Sequence, residues 1–256
     1  MACVSLPGQN TGFLRSALRF RSSRFATASC LKDDHKQVFV CPTEESTAQV
    51  AALFGKRLRE GDCYCLYGDV GAGKSVFSRG FIRAACDDEY LPVPSPTYLL
   101  QNIYDDIEGI PLHHFDLYRL SKSQDMGRLS LPTSFSTAVS LIEWAGRLGR
   151  RAPDARMDVG FSVLPKDLRK SWLQNGILPG RFSKYKETQA DQYCDDDWRL
   201  LRFVPHGKRH HQILDTILQH ISESQPPPQT DFTWLSPETL PLAEEVLDEC
   251  FTLKDL

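Results

Sequence analysis

Short apolar runs alternate with polar turns along the chain, and helical spacing fills several of the gaps between them. Val38-Phe39-Val40 reads as a short strand, and Pro42-Thr43-Glu44-Glu45-Ser46 as a helix start with acids in its first turn. Helical spacing continues through Ala51, Ala52 and Leu58 to the Glu60-Gly61-Asp62 turn. Cys63 to Tyr67 is apolar throughout, the pattern of a strand covered on both faces. Ser75 to Ala85 then has amphipathic helical spacing. Tyr98 to Tyr104 predicts a strand that the acidic turn Asp105-Asp106-Ile107-Glu108-Gly109 reverses into Pro111–Asp116. Val139-Ser140-Leu141-Ile142-Glu143 is another buried strand, and Met157–Leu164 and Trp198–Val204 are closing strands. Pro165 to Asp197 is polar and without period, which predicts an insertion loop over 165–197. Gln225-Pro226-Pro227-Pro228 falls in a C-terminal tail, 221–256, that ends in an acidic amphipathic stretch from Pro241 to Phe251. No internal repeat is visible. The order of elements predicts an α/β fold: a three-layer, mainly parallel sheet with flanking helices and functional loops at its carboxyl edge.

Composition narrows the function classes. At 256 residues and 41% hydrophobic, the chain is long enough for one sizeable core over residues 35–220. A net charge of −3 gives no global case for nucleic-acid or membrane binding, and no apolar run approaches a transmembrane helix in length. The eight cysteines form no C-x-x-C, and Cys63 and Cys65 face the same side of one strand, so buried free thiols in a reducing compartment are expected. His113-His114 and His210-His211 lack partners at ligand spacing and suggest no transition-metal site.

The first residues differ from the rest. Arg15, Arg19, Arg21 and Arg24 occur before any acid, several serines accompany them, and Phe13, Leu14, Ala17 and Leu18 share a helical face. That make-up predicts an organellar transit peptide over 1–34, mitochondrial ahead of plastid, with a disordered basic arm as the other reading.

The chemistry starts at "YGDVGAGKSVF", Tyr67 to Phe77, which fits G-x-x-x-x-G-K-[ST] through Gly68, Gly73, Lys74 and Ser75. Glycines let successive backbone N–H groups point into one concavity, which opens on a helix N-terminus that favours anions. Lys74 can reach the β- and γ-phosphates, and the Ser75 hydroxyl can ligate Mg²⁺. With a strand before the loop and a helix after it, the motif predicts a phosphate loop that binds a nucleoside triphosphate, and a sheet of the P-loop NTPase type.

Such a loop needs an acid near the metal. Glu143 ends the more apolar strand and is assigned to Mg²⁺, directly or through water. Asp116 ends the wetter run Leu112–Phe115 and could position the attacking water or sense the γ-phosphate; strand-end capping is the plain alternative for both acids. Asp106-Ile107-Glu108-Gly109 matches the D-x-x-G of GTPases, but it lies in an acidic turn and no N-K-x-D accompanies it, so it is set aside.

Taken together, "GDVGAGKS", "SPTY" at Ser95–Tyr98, "HFDLYRL" at His114–Leu120 and "LIEW" at Leu141–Trp144 resemble the TsaE family over roughly Val38 to Leu218. The resemblance implies a small ATPase of the pathway that makes threonylcarbamoyladenosine at position 37 of tRNAs reading ANN codons. It implies that ATP is held by Gly71, Ala72, Gly73, Lys74, Ser75 and Val76, with Glu44, Thr97 and Trp144 beside it. Of these Glu44 is a looser match, as are Thr47 and Arg199 near the nucleotide. Ser75 and Glu143 would be the Mg²⁺ ligands, and Lys74 and Asp116 the catalytic pair. Hydrolysis would be slow alone and faster on a TsaD-like threonylcarbamoyl transferase, with or without a TsaB-like subunit, which would hold the tRNA. Two alternatives stand beside this one: a P-loop kinase of a small molecule or protein, and a nucleotide-gated binding module. The chain departs from the family in Ser75, where threonine is commoner, in the lack of proline after Trp144, and in the 165–197 segment and tail.

Overall fold

The structure, a computed structural model, describes residues 36–105, 109–120, 125–185, 197–223, 230–236 and 239–240. The chain divides into two units, 1–33 and 34–256, of which the first lies outside the described residues, as do the tip of the acidic turn at 106–108 and the stretch from Pro241 to Phe251.

Five fully buried residues form β1 (Gln37–Cys41), and α1 (Glu44–Gly55) follows. Thr43 caps α1: its hydroxyl accepts from the Ser46 N–H while the Ser46 hydroxyl accepts from the Thr43 N–H, a reciprocal box that satisfies two otherwise orphaned donors. The helix stops at Gly55, short of the expected Glu60 turn. Beyond it the Arg57 carbonyl accepts a hydrogen bond from Arg209, at 2.6 Å, so a tertiary partner replaces the next helical turn.

β2 (Cys63–Tyr67) and α2 (Lys74–Ala85) flank the phosphate loop. β3 (Gln101–Tyr104) and β4 (Leu112–Asp116) make the expected hairpin, but the strand starts later than Tyr98. Tyr98 and Leu99 are exposed and Leu100 sits at φ 66°, so these apolar side chains mark a turn rather than a buried strand. α3 (Leu131–Thr137), β5 (Val139–Glu143) and β6 (Arg156–Val163) follow.

The stretch read as an insertion loop, 165–197, holds a helix and a 3-10 turn instead. α4 (Lys166–Gln174) and residues Gly180–Tyr185 place Trp172, Leu178 and Phe182 in a satellite core with Val38, Val40, Trp198 and Leu235. Arg169 masks the helical pattern: it is buried with its guanidinium over the Trp198 ring, 5.2 Å from the centroid, so a charged residue occupies a core position. β7 (Arg199–His206) and α5 (Lys208–Glu223) complete the domain. The segment called a tail contributes β8 (Thr233–Trp234), anchored by buried Phe232 and Leu235 and by Gln37 Nε2 donating to the Leu235 carbonyl at 2.6 Å.

The sheet order is β3-β4-β5-β2-β6-β7-β1-β8. β4, β5, β2 and β6 form the parallel centre, and β3, β7, β1 and β8 extend it antiparallel. α1, α2 and α5 cover one face over a core that includes stacked Phe54 and Phe203. On the other face α3 and the 3-10 turn Ala145–Arg151 cover β2, β4 and β5. Cys63 and Cys65 lie there with sulfurs 3.9 Å apart, both free, and the hydrogen bond with Cys65, joined by burial, pushes the Cys63 thiol up. This is the layered α/β plan expected from the sequence, and it puts the carboxyl ends of β2, β4 and β5 side by side.

Candidate functional site

The loop after β2 can form only because of its glycines. Gly73 has φ 107° at the start of α2, and Gly68, at φ 137°, would put a Cβ 2.6 Å from the Phe161 carbonyl oxygen. Both positions exclude side chains. The resulting loop faces a cavity of about 510 Å³ at the carboxyl edge of the parallel strands.

Two carboxylates stand next to each other in register across this edge, Asp116 at the end of β4 and Glu143 at the end of β5. Glu143 is 1% exposed and receives three hydrogen bonds. Ser75 Oγ donates to Oε2 at 2.8 Å, while Ser78 Oγ and His114 Nε2 donate to Oε1 at 2.8 and 3.0 Å. Burial alone would raise its pKa; His114 and the two serines outweigh that and hold the carboxyl below its ordinary value. Glu143 is therefore an anion at neutral pH, paired with the hydroxyl of Ser75.

Asp116 is held differently. Its Oδ1 accepts from the Tyr118 N–H at 2.9 Å, and its Oδ2 accepts from Thr97 Oγ1 at 2.5 Å and Ser95 Oγ at 3.4 Å. Thr97 and Ser95 come from the loop before β3, which thereby reaches over the cavity.

Lys74 is buried, and its ammonium donates to the loop's own Gly68 and Asp69 carbonyls at 2.6 and 2.7 Å. It also lies over the Trp144 ring, 3.9 Å from the centroid, and that ring packs on Tyr118 at 4.9 Å. Trp144 takes φ 60°, a left-handed conformation that costs a non-glycine residue roughly 1–2 kcal/mol. The turn holds the indole against the lysine.

The expected residues Gly71, Gly73, Lys74, Ser75, Val76, Glu44, Thr97, Asp116, Glu143 and Trp144 all line this one cavity. Ala72 does not; it is buried in the main core, leaving only its backbone for the loop. Thr47 and Arg199, looser matches, line the cavity too, with the Arg199 side chain lying against Gly73 of the loop. Arg199 is nearly buried, and its Nη2 donates to the Gly71 carbonyl at 3.3 Å.

His114, Ser78, Ser95 and Tyr118 were not anticipated. His114 could have been found, because it sits two residues before Asp116 and so shares its face of the strand. Ser78 likewise lies one helical turn from Ser75. His113, the other half of its pair, hydrogen-bonds Ser134 on α3 at 2.8 Å and plays no part in the cavity.

The donor set suits a hard cation. A serine hydroxyl and one ionised carboxylate are what Mg²⁺ takes from a protein when phosphate oxygens supply the rest, and no cluster of three or more His, Cys, Asp or Glu occurs among the described residues.

Comparison with known proteins agrees with this geometry. The family profile described as "Threonylcarbamoyl adenosine biosynthesis protein TsaE" matches residues 41–170. Proteins named tRNA threonylcarbamoyladenosine biosynthesis protein TsaE are similar over the same region. The one from Rickettsia bellii is 32% identical over 127 residues, which is 50% of this chain and 87% of that protein. Those from Bacillus subtilis and Mycobacterium leprae are each 34% identical over 128 residues, covering 49% and 47% of this chain and 77% and 78% of theirs. The crystal structure of Bacillus subtilis YdiB superposes with a TM-score of 0.52 at 22% identity, over 72% of this chain and 95% of that one, and shows the same fold. Loop, paired acids and family profile coincide on one stretch of sequence: the chain belongs to the TsaE family.

Proposed function

We propose that this protein is a Mg²⁺-dependent ATPase that supports threonylcarbamoyladenosine formation on tRNAs reading ANN codons, acting on the threonylcarbamoyl-transfer complex rather than on tRNA chemistry itself. The observation that carries the reading is the convergence of Lys74, Ser75, Glu143 and Asp116 on one cavity at the strand ends. The names of the relatives supply the pathway.

The loop's N–H groups and the N-terminus of α2 would cradle the β- and γ-phosphates, and Lys74 would leave the Gly68 and Asp69 carbonyls to meet them. Ser75 and Glu143 would hold Mg²⁺, which offsets charge developing on the phosphate oxygens. Asp116 would accept a hydrogen bond from the attacking water. As the water oxygen bonds to the γ-phosphorus, the bond to the β–γ bridging oxygen breaks, giving ADP and phosphate. In the structure Asp116 Oδ2 is occupied by Thr97, so the loop carrying Thr97 must release that carboxylate or share it. That requirement supports slow turnover alone and faster turnover when a partner repositions the loop. A TsaD-like transferase, with or without a TsaB-like subunit, is the partner this reading names. The arginine-rich, serine-rich opening of the sequence supports a mitochondrial address, with a plastid as the alternative.

The test is ATP hydrolysis by the protein with and without a purified organellar TsaD homologue. Slow turnover that rises with the partner is expected. Turnover indifferent to it, or label from the γ-phosphate recovered on an acceptor, overturns the reading.

A further inference from the structure

The opposite edge of the sheet carries a second concavity. Arg57, Leu58, Arg59, Arg209, Ile213 and Thr216 line a cavity of about 330 Å³ where α1 ends and β2 and α5 begin. The length of β2, five residues, puts roughly 16 Å between it and the phosphate loop.

Its cations are held in place by the protein. Arg209 Nη2 donates to Asp62 Oδ2 at 3.0 Å and to the Arg57 carbonyl at 2.6 Å, and Arg57 Nη1 donates to the Leu53 carbonyl at 2.7 Å. Asp62 is buried, and it also accepts from the Arg59 N–H at 2.9 Å, so this carboxylate is spent inside the cluster. Lys56, Arg59 and Lys208 stand exposed around the rim, with Glu60 as the exposed acid of the same turn. The positive charge extends along the edge. Gly207, next to Lys208, packs so closely on Ala155 that a Cβ there would come within 3.1 Å, and the exposed Arg150 and Arg151 lie just before that contact, beside Asp154. On a chain of net charge −3, this edge has a clear excess of positive charge.

We propose that this edge is a binding surface for the phosphate backbone of RNA. The Arg209 fork is closed on Asp62, through Nε at 3.2 Å and Nη2 at 3.0 Å, so the charges offered to phosphate oxygens are the exposed Arg59, Lys56 and Lys208 and the half-buried Arg57, arranged around that fixed ion pair. Among the described residues, none of the exposed large hydrophobic side chains, such as Val70, Tyr98, Leu99 and Tyr118, lines the cavity. A protein interface would be anchored by such residues, and a lipid surface would take them up; a sugar–phosphate chain needs neither. That the polymer is RNA rests on the tRNA-modification reading above. The two sites face opposite edges, so nucleotide and RNA can be held at once.

The test is fluorescence anisotropy with an unmodified, labelled transcript of an ANN-reading tRNA and the full chain, between about 50 and 200 mM salt. Binding is expected, weakening with salt. The Lys56→Glu/Arg59→Glu/Lys208→Glu variant should bind about tenfold or more weakly, with a shallower salt slope and unchanged ATP hydrolysis. The corresponding triple glutamine variant should fall between, which separates charge from any loss of folding. No binding to the transcript at the lower salt, or equal binding by the charge-reversed variant, overturns the proposal. So does binding to phosphatidylserine vesicles or to an acidic peptide that the transcript does not displace. Absent hydrolysis with RNA binding that follows the variants would remove the ATPase reading and leave this surface standing. Normal hydrolysis with RNA binding blind to the variants would do the reverse.

Discussion

The two acid corners of the cavity at the strand ends are built on opposite plans. Glu143 is locked: three side chains from two elements donate to it, and it has almost no contact with solvent. Asp116 is latched: apart from one backbone N–H, its donors are Thr97 and Ser95, on a loop whose neighbours Tyr98 and Leu99 face solvent. Both carboxylates end adjacent parallel strands, so the backbone treats them alike. The difference lies in what covers them. A locked acid suits a group that must hold its place through a catalytic cycle, and a latched one suits a group whose availability is to be controlled.

The change with the largest expected effect falls on the loop rather than on either acid. Lys74→Ala removes the one lysine ammonium among the described residues that line the cavity, and its contacts with Gly68, Asp69 and Trp144. ATP turnover should fall on the order of 100-fold or more, with nucleotide affinity falling too, as read by steady-state hydrolysis and calorimetry. Near-normal binding and turnover would show that the loop is not a phosphate site.

Asp116→Asn separates the corners. The amide keeps the shape and can still meet Thr97, but it cannot take a proton or strongly orient a water. Turnover should drop about 100-fold while ATP binding stays within a few-fold of the parent. A collapse of binding would make Asp116 a part of the metal site and erase the distinction drawn here.

How far this arrangement could be seen beforehand depends on how each residue acts. Lys74 and Ser75 belong to a contiguous motif, and Glu143 and Asp116 end apolar runs, so local pattern reveals them. His114 and Ser78 act only through Glu143, and that relation exists once β4, β5 and α2 have packed. The same logic governs the fold. Cys63–Tyr67 and Val139–Glu143 are buried on every residue and announce themselves as apolar runs. α4 hides because Arg169 does a core residue's job against Trp198, and β8 hides because two residues are too short for any period. Tyr98 and Leu99 mislead in the other direction, being apolar in sequence and exposed in space.

His114→Ala tests the lock. It deletes one of three donors to a buried anion and opens space behind it, so the protein should lose about 1–3 kcal/mol of stability. Mg²⁺ dependence of hydrolysis should shift about 10- to 100-fold toward higher concentration, the usual penalty for removing a partner that orients a metal ligand. Ser75 and Ser78 still donate in the variant, which is why Glu143 should remain ionised and the loss should be partial. An unchanged Mg²⁺ requirement alongside lowered stability would make His114 a packing residue only.

Thr97→Val tests the latch, and its effect should be the smallest and the most selective. The substitution keeps the β-branched shape but removes the hydroxyl that donates to Asp116. Thr97 is only half-buried and sits on a loop, so thermal stability should change by no more than about 0.5 kcal/mol, in contrast to His114→Ala. Turnover should move a few-fold, and the direction is informative. If the hydroxyl mainly restrains Asp116, the variant should hydrolyse ATP faster alone and gain less from a partner, because the carboxylate is already released. If the hydroxyl instead helps Asp116 hold the attacking water, turnover should fall with and without the partner by the same factor. Hydrolysis that is unaltered in both conditions would mean that the loop does not control Asp116, and the two corners would then differ in what covers them but not in role.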